Sequence, residues 1–208
     1  MPNLRRIVMV RHGETDGESS VRFHGSGDVP LSDEGRAQAR ESARQLPGGS
    51  GDLFDLVVAS PLSRAWEAAR IIAPGAAIRL EEDFREVHFG AWEGLTKEEI
   101  EASDPARYRQ WQAEPATFEF PEGERKAHFR ARIQRGLEHT LAAGASSALV
   151  VAHKGVIRTI TGLLTGTVPP QPNPVLGALI QLRRGEDGEW IEGRHSSNPP
   201  GLGDAPRG

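Results

Sequence analysis

No cysteine occurs among the 208 residues. That absence excludes disulfides, thiolate metal sites and cysteine nucleophiles, and it leaves the redox compartment undetermined. Excess positive charge is also lacking: 25 Lys and Arg against 29 Asp and Glu give a formal net charge of -4. Such a balance gives no support to nucleic-acid or anionic-membrane binding as the main activity, so any positive field must be local. No apolar run reaches membrane-spanning length, and the chain enters its first strand without a long apolar leader, so the cytoplasm is the expected address. The 24 glycines follow no fixed period, which excludes collagen-like and repeat architectures.

What is present fits one domain with a sizeable core, at 37% hydrophobic content. Residues 1–193 are expected to form it, with a cap-like insertion at about 96–123. Residues 194–208, rich in glycine and proline, read as a disordered tail. Strand signals at 6–10, 55–59, 77–80 and 147–152 alternate with helix signals at 33–46, 61–69, 124–141 and 154–164. Residues 97–113 read as one or two helices broken near Asp104-Pro105, and 178–183 with 190–192 as a terminal hairpin. The alternation predicts an α/β fold, a three-layer α/β/α sandwich around a mostly parallel sheet. Phe129, Ile133, Leu137 and Leu141 share one helical face and belong to the core. Tyr108 and Trp111 read as packing residues, and Arg130, Arg132 and Arg135 as mostly solvated charges.

The chemistry concentrates where strands break. Ile7-Val8-Met9-Val10 ends abruptly at Arg11-His12-Gly13-Glu14-Thr15. A neutral imidazole is a nucleophile near pH 7, and a guanidinium beside it suits the oxygens of a phosphate. Gly13 is expected to let the backbone turn sharply toward a ligand. The strand 147–152 ends in the same way, at His153-Lys154-Gly155-Val156-Ile157-Arg158, and two histidines at such ends meet if their strands are neighbours. The strand 55–59 runs into Ser60-Pro61-Leu62-Ser63-Arg64. There Ser60 is expected as helix cap and Pro61 as first helical residue, with Arg64 reaching back to the sheet edge. Glu86, among apolar and glycine residues, is a candidate proton donor. The loop 16–29 offers Arg22 and His24 as substrate contacts.

Each of these residues has a plainer reading alone, as a solvated arginine or a satisfied buried histidine. Together they supply a nucleophile, fixed cations and an acid for a leaving alcohol, as phosphoryl transfer requires. The residues leave open which histidine attacks.

Arg11-His12-Gly13-Glu14-Thr15, Ser60-Pro61-Leu62-Ser63-Arg64-Ala65, the segment from Glu86 to Gly94 and His153-Lys154-Gly155-Val156-Ile157-Arg158 closely resemble the motifs of the histidine phosphatase superfamily, the phosphoglycerate mutase-like proteins. The likeness runs from about Arg6 to Arg183 and is nearer the phosphatase branch, including α-ribazole phosphatase-like proteins, than the glycolytic mutases. It implies that His12 is phosphorylated, that Arg11, Arg64 and His153 hold the phosphoryl oxygens, and that Glu86 gives and retrieves the proton. It implies a small phosphorylated substrate and neither metal nor cofactor; a homodimer is compatible with the sequence. Members often carry asparagine at the position of Glu18, glycine at that of Lys154 and serine at that of Arg125. A carboxylate at Glu18 would repel phosphate if it pointed inward, and Lys154, a candidate substrate contact, could offset it. The alternatives are a phosphoglycerate mutase-type phosphotransfer, or a regulatory module that binds phosphate and turns over poorly.

Overall fold

The structure, a computed structural model, describes residues 3–46, 48–167 and 174–193. The expected tail at 194–208 lies outside the described residues. Six strands, β1 (Arg6–Arg11), β2 (Leu56–Ala59), β3 (Ile78–Leu80), β4 (Ser147–Ala152), β5 (Leu179–Arg184) and β6 (Trp190–Glu192), form one sheet in the order β3-β2-β4-β1-β5-β6. The first four of that order are mutually parallel, and β5 and β6 add an antiparallel edge.

The strands sort their side chains by the period of two. Ile7 and Met9 of β1 face one cluster, with Phe129, Ile133 and Leu137 of α5 (Lys126–Leu141) and Val156, Ile157 and Ile160 of α6 (Lys154–Thr165). Val8 and Val10 face the other, with Ala39 of α1 (Asp33–Gln45) and Ala68, Ala69 and Ile72 of α2 (Ser63–Ile72). β4 lies at the centre, buried along its whole length, so its sequence is apolar without alternation. The expected three-layer sandwich is therefore observed. A third cluster, Trp92, Ile100, Tyr108 and Phe118, belongs to the segment carrying α3 (Lys97–Ser103) and α4 (Pro105–Ala113). The break between these two helices falls at Asp104, whose side chain accepts from Arg107 N.

Two helix starts differ from expectation. α5 begins at Lys126, two residues after Glu124, with Arg125 at its cap position and no side-chain cap hydrogen bond. α2 begins at Ser63 rather than at Pro61, because Leu62 is extended at φ -63°, ψ 133°. Ser60 is not its cap. The reason lies in what Ser60 and Asp28 bond to, and it bears on the site.

Candidate active site

β1 and β4 pair in parallel with Arg11 opposite Ala152, so the chain leaves both strands at the same edge. His12 N donates to Ala152 O at 3.0 Å, and the two imidazoles meet edge to face with centroids 5.1 Å apart. The expected meeting of the two histidines follows directly from the strand order.

His12 is 5% exposed, and its Nδ1 lies 2.7 Å from Gly13 O. A carbonyl only accepts, so Nδ1 carries the proton and Nε2 keeps its lone pair. Burial, then the neighbouring Arg64 and Arg11, hold the His12 pKa well below its usual 6.5. The ring is thus a neutral nucleophile at physiological pH. Gly13 serves a different end from the expected sharp turn: a Cβ there would lie 2.5 Å from Gly35 O, so only glycine lets the loop pack against the start of α1.

Arg64 is 1% exposed, an unusual fate for arginine, and its guanidinium donates to Gly27 O and Gly25 O, both at 2.7 Å. Asp28 from the same loop accepts from Ser63 N and Ser63 Oγ, each at 2.7 Å. The α2 cap therefore comes from Asp28 of the 16–29 loop, with a charge that suits a helix amino end. Ser60 is released to stand 2.8 Å from His153 Nε2, while its Oγ accepts from Leu62 N. Arg11 donates from Nη1 to Pro174 O, and burial lowers its guanidinium to about 10, still charged at neutral pH. Three buried atoms stay without a protein partner here: Arg11 Nε, Arg64 Nε and His153 Nδ1. Orphaned buried polar atoms are costly, and three around one imidazole mark a place for an anion.

Glu86 is 8% exposed, and its carboxylate accepts from Val87 N and Gly155 N, both at 3.0 Å. Gly155 is required for that approach, since a Cβ would lie 2.4 Å from Glu86 Oε1. Lys154, the first residue of α6, adjoins this contact. Arg132 is the main surprise. Expected as a solvated charge, it is held bidentate by Glu124 at 2.7 and 2.8 Å and donates to the carbonyls of Asp83, Arg85 and Glu86. It clamps the segment that carries Glu86 to α5. Its position beside the apolar stripe, one residue before Ile133, was the signal available in the sequence.

The structure does not gather all the expected contacts equally. His24 is half-buried, with Nε2 hydrogen bonded to Gly17 O. Arg22 instead joins the loop to the α3 segment, through Glu99 at 2.9 Å, Gly94 O at 2.8 Å and Glu18 at 3.4 Å. Glu18 sits in the left-handed region at φ 61°, its side chain 67% exposed, so the feared repulsion of phosphate is avoided by turning outward. Glu93, within the segment from Glu86 to Gly94, ties that segment to the loop: its Oε1 accepts from Ser26 N, Ser26 Oγ and Phe89 N and fixes the loop that holds Arg64. Among the described residues, metal-type ligands gather at Glu81, Asp83 and His139, apart from the histidine pair, where Arg79 and Arg135 already face the carboxylates.

Comparison with known proteins agrees with this geometry. The family profile described as histidine phosphatase superfamily (branch 1) matches residues 7–192. A glucosyl-3-phosphoglycerate phosphatase of Mycobacterium tuberculosis is 34% identical over 201 residues, covering 91% of this chain and 88% of that protein. The solved structure of a mycobacterial glucosyl-3-phosphoglycerate phosphatase complexed with VO3 superposes with TM-score 0.81 at 30% identity, covering 93% of this chain and 100% of that one. An α-ribazole phosphatase from Shigella flexneri shares the fold at TM-score 0.77 and 22% identity, over 96% of this chain and 100% of that one. With two buried histidines, Arg11 and the buried Arg64 at one sheet edge, the chain belongs to the histidine phosphatase superfamily, branch 1.

Proposed function

We propose that the protein is a phosphomonoesterase that hydrolyses a small phosphorylated metabolite through a phosphohistidine on His12. The carrying observation is the His12 ring, its Nδ1 tied to Gly13 O and its surroundings lined by the unpartnered Arg11 Nε, Arg64 Nε and His153 Nδ1. His12 Nε2 attacks phosphorus as the ester P–O bond breaks, and Glu86 in its acid form gives its proton to the leaving oxygen. Water then attacks phosphorus, Glu86 takes the proton from it, and the N–P bond breaks to release phosphate and the free imidazole. Arg11 and Arg64 neutralise the equatorial oxygens throughout and His153, itself uncharged, adds a hydrogen bond to them, from positions fixed before substrate arrives.

The test is phosphate release from a panel of phosphorylated metabolites, esters of phosphoglycerate included, with His12→Ala as control and 3-phosphoglycerate assayed for isomerisation. Release that His12→Ala abolishes supports the reading. Isomerisation without release, or stable phosphate binding without turnover, would replace it with a mutase or a regulatory module.

A further inference from the structure

The inference concerns what the leaving group carries, and it rests on the phosphatase reading above. Lys154 follows His153 directly and precedes Gly155, whose N–H donates to Glu86 at 3.0 Å. Glu86 protonates the leaving oxygen in that reading, so Lys154 lies on the leaving-group side of the site. Among the described residues its side chain makes no hydrogen bond or ion pair. Its charge is not used against Glu18, which is turned outward onto Arg22.

The charges that act on the Lys154 ammonium belong to Arg11 of β1, Arg158 one turn along α6, Glu86 and Lys97 at the start of α3. Three of the four are cations. A lysine one helical turn from an arginine costs stability rather than adding it. Although the residue as a whole is exposed, partial burial of its ammonium, followed by Arg11 and Arg158, pushes it down to about 8. A phosphoryl group on His12 has Arg11, Arg64 and His153 for its own oxygens, which leaves Lys154 over.

We infer that Lys154 binds a second anionic group, a carboxylate or a phosphate, carried by the alcohol part of the substrate. The enzyme then selects phosphate monoesters of anion-bearing alcohols over those of neutral ones. One charged hydrogen bond at a partly dehydrated site supports a preference of about 10- to 100-fold.

Binding can be measured without turnover, by calorimetry on the full chain with methylphosphonate, phosphonoacetate and methylenebisphosphonate. The wild type should bind one or both of the doubly anionic ligands about 10- to 100-fold more tightly than methylphosphonate, and which of the two gains more distinguishes carboxylate from phosphate. Lys154→Met should cut the advantage to about threefold or less, and Lys154→Arg should keep it. The wild-type advantage should decline above about pH 8 as the ammonium loses its proton, while that of Lys154→Arg, facing the same ligand titration, persists. No advantage in the wild type, or one that survives Lys154→Met, overturns the inference. Phosphate release that needs His12 but shows no such preference would do so while sparing the phosphatase reading. The preference without any phosphate release would keep the anion subsite and remove that reading.

Discussion

At the scale of single residues, the site works by withholding partners. Arg11, Arg64 and His153 each keep one buried nitrogen unsatisfied, and the remaining hydrogen bonds of each are spent on holding it still. Glu86 is placed by two backbone N–H groups and so cannot swing away from the leaving oxygen. Glu86→Gln keeps the size and loses the proton. It should slow hydrolysis of alkyl phosphates by about 100-fold or more and of p-nitrophenyl phosphate by under about tenfold, because p-nitrophenolate leaves without help. Equal losses on both leaving groups would remove Glu86 as the acid. Arg11, His12 and His153 were legible as candidates because each stands where an apolar run stops, Arg64 because it follows such a strand by one helical turn, and Glu86 because of its apolar and glycine neighbours. Ser60 was misread because its local sequence is a good cap signal, and only the neighbouring strand reveals that His153 takes its hydroxyl.

At the scale of elements, the site is held by contacts between segments far apart in the chain, which no local pattern announces. Asp28 caps α2 from a loop more than thirty residues earlier, and the same loop's carbonyls hold Arg64. Asp28→Ala should cost about 1 kcal/mol of stability through the lost cap. It should also lower kcat/KM, as Arg64 loses a fixed platform; thermal melts and steady-state kinetics on one preparation check both, and an unchanged kcat/KM would contradict the coupling. Arg132 is the equivalent tie for Glu86. Arg132→Met leaves three carbonyls and Glu124 without their donor, for about 2–3 kcal/mol of destabilisation, and should slow alkyl phosphate hydrolysis by about tenfold. A variant that loses stability but keeps full turnover would show that the clamp is structural only. The strands and most helices were legible from period and punctuation, down to the Asp104-Pro105 break. The α2 start and the role of Arg132 were not, since both depend on distant partners.

At the scale of the whole molecule, the strand order does the gathering. β4 inserted between β2 and β1 brings the ends of three strands, and with them Ser60, His12 and His153, to one edge. The cost of burying two imidazoles there appears in the stability of the entire fold. Both have pKa values held well below 6.5, so below that pH the unfolded chain takes up protons that the folded chain refuses. Stability should be full above about pH 6.5 and fall as the pH drops, by up to about 1.4 kcal/mol per pH unit for each histidine. Urea titrations between pH 7.5 and 5.5 should show His12→Ala with the shallower dependence; identical slopes would mean that His12 protonates freely in the native state.

The central claim is that phosphate passes through His12, and the most direct measurement is to stop the reaction during turnover and locate the phosphoryl group. Rapid alkaline quench after mixing with a substrate, followed by peptide mass spectrometry, should find an acid-labile phosphate on His12, absent from His12→Ala. Turnover with no phosphorylated histidine, or with the phosphate on another residue, would contradict the account.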